Sequence, residues 1–200
     1  MYFEYPRPGV RRCIGRTIAA MPSAAPTENP AAQRLYGLPP VADARTRLVV
    51  LGSFPGVASL QAQQYYGHPR NQLWPILQRL WPQHPQPDRT DYAARCAWLL
   101  ARGLGLWDVY ASCERQGSLD SAIRHPQVND FAALRQRCPQ LVAVAHNGGE
   151  SAKHAHALHG LGLQVHQLPS TSPANASWSL ERKLAAWQQV MAAHGLLDKD

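Results

Sequence analysis

The sequence predicts an α/β fold: a three-layer α/β/α sandwich around a central four-stranded parallel sheet. Three observations carry this expectation. Four short apolar segments have the length and branched side chains of buried strands. Segments with apolar residues at helical spacing stand between and after them. The two kinds alternate along the chain, as parallel strands require, because each strand must be reached by a crossover.

Each element has its own signal. RLVVLG (47–52) is an apolar run ending in glycine and is the first expected strand. NQLWPILQRLW (71–81) sets Leu73, Ile76, Leu77 and Leu80 on one helical face, with Pro75 tolerated near the first turn. DYAARCAWLLARG (91–103) is a second helix with Gly103 as its stop. GLWDVY (105–110) is the next strand. Asn129 is the expected cap of the helix DFAALRQRC, and Val142, Ala143 and Val144 form the core of a third strand. GESAKHAHALHG (149–160) reads as a helix ending on Gly160, and LQVHQL (163–168) as the fourth strand. A long amphipathic helix closes the domain, with Leu180, Leu184, Trp187 and Met191 on one face. In sheets of this kind the working loops lie beyond the carboxyl ends of the strands. Here those are the loops after Gly52, Asp108, Ala145 and Leu168.

Residues 1–37 differ from the rest: they lack periodicity and include the Pro/Ala/Ser-rich stretch MPSAAPTENPAAQ. They are expected to be a flexible or non-native extension, with Met21 as a possible native start and residues 38–200 as the folded domain. The formal net charge is +7, and since the chain has only Lys153, Lys183 and Lys199, 17 of its 20 basic residues are arginine. Arginine grips phosphate in bidentate fashion, so this balance favours a polyanionic partner. Cys13, Cys96, Cys113 and Cys138 are scattered without a CxxC pair, which argues against a zinc or iron–sulfur centre. His154, His156 and His159 do not share a helical face as metal ligands would. No metal or organic cofactor is implied. With no secretory leader or apolar span in the sequence, a cytoplasmic location is the expectation.

Three of the loops at the strand ends carry unusual sequence: GSFPGVASLQAQQYYGHPRNQLW (52–74), LGLWDVYASCERQGSLDSAI (104–123) and LPSTSPAN (168–175). Gly-x-x-Pro-Gly leaving the first strand, then HPRNxxW, resembles the mismatch-specific branch of the uracil-DNA glycosylase superfamily. With ERxGSLDS and STSPAN, the set resembles its hypoxanthine-DNA glycosylase (deoxyinosine glycosylase) family over roughly residues 36–190.

The resemblance implies roles for particular residues. Gly52, Phe54, Pro55 and Gly56 shape a tight turn that lets backbone approach the target nucleotide. Ser53 stands where sister families keep a catalytic Asp or Asn, and a hydroxyl without a base activates water poorly. Asn71 corresponds to the family's catalytic residue, its amide carbonyl orienting a water beneath C1′. Capping the helix that begins at Gln72 is its other reading, and the two are compatible. Asp108 stands where mismatch-specific relatives keep a base-reading Asn. It is expected either to accept from a ring N–H of the base or to cap the following loop. Of Tyr65 and Tyr66, one is expected to stack on the extruded base and the other to be core. Asn147 either lines the pocket or starts a helix. Ser170, Thr171 and Ser172 are placed to donate to phosphates, Ala174 and Asn175 align with the wedge that enters the vacated stack, and Pro173 is expected at the same DNA-binding surface. Arg70, Arg115 and Arg124 lie on or near these loops as possible phosphate contacts.

The expected activity is that of a monofunctional DNA glycosylase, acting as a monomer on double-stranded DNA that contains a deaminated base, chiefly hypoxanthine. No lysine lies in the three loops, as Schiff-base lyase chemistry would want. Uracil or xanthine excision, and a catalytically silent lesion-binding module, are the alternatives.

Overall fold

A computed structural model describes residues 34–198. The main sheet has four parallel strands, β2 (Leu48–Gly52), β3 (Leu104–Asp108), β6 (Ala143–Asn147) and β7 (Gln164–Leu168), in the order β3-β2-β6-β7. Every residue of β2, β3 and β6 is buried, which is why these segments are apolar without alternation until the polar residues at their carboxyl ends, Asp108 in β3 and His146 and Asn147 in β6. Register aligns the strand ends: Gly52 lies opposite Asp108, and Asn147 opposite Leu168. The candidate residues therefore emerge along one edge.

Helices α1 (Val57–Ala62), α2 (Leu73–Leu80), α3 (Tyr92–Leu100), α4 (Phe131–Arg137), α5 (Gly149–Ala152) and α6 (Leu180–Ala193) connect and flank these strands. Trp81 and Trp98 meet edge to face at 5.5 Å, and the Trp187 side chain is fully buried, so aromatic packing anchors α2, α3 and α6. No helix among the described residues is long and apolar enough to cross a membrane.

Four local expectations are corrected. The segment 105–110 is not one strand: β3 ends at Asp108, and Tyr110 opens β4 (Tyr110–Glu114). With β1 (Arg34–Tyr36) and β5 (Arg124–Val128), β4 builds a second, antiparallel sheet in the order β1-β4-β5. Residues 34–36 thus belong to the domain rather than to the extension, held by pairing with Ser112–Glu114; the rest of the extension, through residue 33, lies outside the described residues. Asn129 does not cap α4. Asp130 does, accepting from the Ala133 N–H at 2.9 Å, while the Asn129 amide donates to the Asp108 carbonyl at 2.9 Å. Finally, 149–160 is only the short α5 and a 3-10 turn at Ala155–Leu158. The break frees His154 to meet the Tyr110 hydroxyl at 2.7 Å.

Candidate active site

A cavity of about 400 Å³ opens at the carboxyl edge of the main sheet. The turn after β2, the segment 65–71, the end of β3, the loop after β4 and the loop after β7 all contribute to its wall. Every residue expected in the site lines it except Arg70, Arg115 and Arg124.

The floor is built by Gly52, Tyr66 and Asp108. A Cβ at Gly52 would overlap Asp108 Oδ1 and lie 3.3 Å from the Tyr66 hydroxyl, so only glycine leaves room for both groups. Asp108 is buried, and neither its Oδ2 nor the Tyr66 hydroxyl has a hydrogen-bond partner in the protein. Buried polar groups are normally paired, so two unpaired groups facing one cavity mark a place where a ligand supplies the partners. Burial pushes the Asp108 carboxyl up to about 8; the neighbouring Arg115 guanidinium pulls it down and Asp120 raises it further. The expected carboxylate is therefore mainly a neutral acid near pH 7, able to donate through its O–H and accept through its carbonyl. Burial, reinforced by Asp108, likewise raises the Tyr66 phenol, which stays protonated.

Both tyrosines line the cavity, but they are held differently. Tyr65 is buried, and its hydroxyl donates to the Leu38 carbonyl at 2.9 Å. Tyr66, in the left-handed region at φ 56°, is the one aimed at Asp108.

Asn71 lines the cavity, and its Oδ1 accepts from the Leu73 N–H at 2.9 Å. Its carbonyl thus steadies the start of α2 and retains a second lone pair. Asn147 is tied to the loop after β7: its Oδ1 accepts from the Thr171 N–H and its amide donates to Thr171 Oγ1, both at 2.9 Å. Gly148, at φ 114°, allows the close approach, since a Cβ there would come within 3.0 Å of Ser170 Cβ.

Two DNA-contact expectations are corrected. Arg115 is buried beneath the turn, donating to the Pro55 carbonyl with its guanidinium 5.0 Å from the Phe54 ring, and so braces the pocket from behind. Thr171 is fully buried and engaged with Asn147 rather than offered to phosphate. Ser172 and Asn175 are half-buried, whereas Arg70, Pro173 and Ala174 are exposed at the rim.

Two contributors carry no role in the sequence reading. Lys183 reaches from α6, almost fully buried, to donate to Gln72 Oε1 at 2.8 Å and to the Asn175 carbonyl at 2.9 Å. It clamps the segment after Asn71 to the STSPAN loop. Asp120 lines the cavity from the loop after β4 and accepts a hydrogen bond from Ser53 Oγ at 2.6 Å. No motif spacing signals either contact, because each joins distant parts of the chain.

The fold and the pocket define an α/β protein with a ligand site at the carboxyl edge of its sheet, and comparison with known proteins supplies the family. Residues 39–191 match the uracil DNA glycosylase superfamily, and the chain belongs to it. A hypoxanthine DNA glycosylase of Methanosarcina acetivorans is 34% identical over 154 residues, covering 77% of this chain and 96% of the relative. One from Methanosarcina barkeri is 35% identical over the same length and coverage. A solution NMR structure from M. acetivorans, provisionally named uracil DNA glycosylase, superposes with a TM-score of 0.70 at 32% identity, covering 82% of this chain and 99% of that one.

Proposed function

We propose that the protein is a monofunctional DNA glycosylase that extrudes a deaminated base, chiefly hypoxanthine, from double-stranded DNA and hydrolyses its N-glycosidic bond, leaving an abasic site. The observation that carries this reading is the unpaired Asp108 carboxyl on the floor of the cavity. Hypoxanthine presents a ring N–H beside a carbonyl. A neutral acid pairs with that edge by accepting from the N–H and donating to the oxygen, and a buried unpaired group gains most from such a partner. The relatives named hypoxanthine DNA glycosylase support the same choice. Uracil and xanthine share this edge and form the second reading.

Asn71 holds the hydrolytic water on its free lone pair, beneath the sugar. Bond breaking that runs ahead of attack gives an oxocarbenium-like sugar, which needs an oriented nucleophile more than a strong base. The net charge of +7 and the exposed rim at Arg70, Pro173 and Ala174 suit a duplex laid across the cavity mouth. In this reading the protein acts as a monomer on DNA in the cytoplasm.

Duplex oligonucleotides carrying hypoxanthine, uracil, xanthine or only normal bases, followed by alkaline cleavage of abasic sites, test the reading. Release is expected to be fastest from hypoxanthine. A gel shift without abasic product would identify a lesion-binding module, and activity on free inosine alone would refute the DNA assignment.

A further inference from the structure

Ser53 and Asp120 are brought together from two loops on the wall of the same cavity, with Ser53 Oγ donating to Asp120 Oδ1 at 2.6 Å. A lone serine hydroxyl is a poor acceptor for a proton from water. One whose own proton already points at a carboxylate is a relay. We propose that Ser53 and Asp120 form a proton relay, with Asp120 the terminal acceptor for the proton of the hydrolytic water that Asn71 orients. The proposal rests on the glycosylase reading above.

The step balances as follows. The C1′–N bond breaks and its electron pair leaves with the base. The water oxygen bonds to C1′, and its proton passes to Ser53 Oγ as the Ser53 proton passes to Asp120. The departing base takes a proton from solvent, and Asp120, exposed on its outer side, returns one.

The geometry around the pair is fixed from both sides. Ser118 Oγ accepts from the Val57 N–H at 3.0 Å, so the two loops are tied to each other beside the pair. Arg124 holds the backbone of the Asp120 turn by donating to the Ser121 and Ile123 carbonyls, each at 2.8 Å. Partial desolvation lifts the Asp120 carboxyl above its usual range, which makes its carboxylate a better base. The Ser53 hydrogen bond opposes that shift; among the facing charges, Glu150 adds to it, while Arg115 and Lys153 oppose it. Asp108, mainly neutral near pH 7, adds little charge there.

Single-turnover excision of hypoxanthine by the full chain tests the relay with Asp120→Asn, Ser53→Ala and the double variant. Asparagine keeps an acceptor for Ser53 but cannot take the proton. Each single variant is expected to lose about 100-fold in rate, with duplex affinity unchanged. The double variant should be no slower than the slower single, and the acid limb of the wild-type pH–rate profile should vanish in D120N. A merely structural contact would leave that limb in place. The relay is overturned if D120N loses less than about tenfold, keeps the acid limb, or combines multiplicatively with S53A. A wild-type chain that releases no deaminated base would overturn the glycosylase reading and the relay together, a different result from an active D120N beside an active wild type.

Discussion

Replacing Asp108 by Asn tests whether burial keeps this acid neutral. Its folded value of about 8 stands about 4 units above the ordinary 3.8. Because the folded state holds the proton more tightly, the stability this group contributes is fully present below about pH 4 and is lost as pH rises through about 8. At ~1.4 kcal/mol per unit, the loss across that window is on the order of 5 kcal/mol, a large share of the ~5–15 kcal/mol that holds a domain together. Asparagine has nearly the same shape and no charge to bury, so D108N removes this dependence. Chemical denaturation of both proteins at half-unit steps from pH 4 to 9 reads the difference. The stability of D108N relative to wild type is expected to climb steadily across the window and to level off above about pH 8. A difference that stays flat from pH 4 to 8 would show that Asp108 titrates alike in both states, and the neutral-acid reading of the floor would fail.

Two further substitutions probe the walls. Asn71→Ala is expected to cut single-turnover excision by about 100-fold or more while costing only ~1 kcal/mol of stability, the value of its bond to the Leu73 N–H; near-wild-type turnover would remove Asn71 from the chemistry. Lys183→Met leaves Gln72 Oε1 and the Asn175 carbonyl without their donor, a cost of roughly 1–3 kcal/mol. The expected readouts are a melting temperature lower by roughly 2–12 °C and weaker duplex binding, and an unchanged melting curve would show that the clamp bears no strain.

The main sheet was legible because three of its strands are buried: LVVLG is apolar throughout and LGLWD is apolar up to its terminal Asp108, and that pattern needs no partner to be recognised. The small sheet was not. RHPQV is exposed at every position, and its pairing with β4 shifts register twice, so no alternation marks it. The helix expected over 149–160 stops at Ala152 and gives way to a 3-10 turn, and the break goes with a contact no local pattern signals, His154 on Tyr110. In the site, the motif loops led to the residues of the cavity, while Arg115 shows the limit of charge as a guide: a guanidinium on an active loop turned out to be packing against Phe54. Asp120 lay in plain view within SLDS, but its contact with Ser53 spans 67 positions and leaves no local signal. Likewise, the neutral state of Asp108 depends on how deeply the fold encloses it.

Val109 alone separates β3 from β4. The backbone that leaves the large sheet at Asp108 therefore runs straight into the hairpin whose tip bears Asp120. The two acids are carried on one connection, Asp108 at its root and Asp120 near its tip. On the roles proposed above, a change that re-angles this arm would act on base choice and water handling together. Adapting the scaffold to a different lesion would then mean treating the arm as a unit.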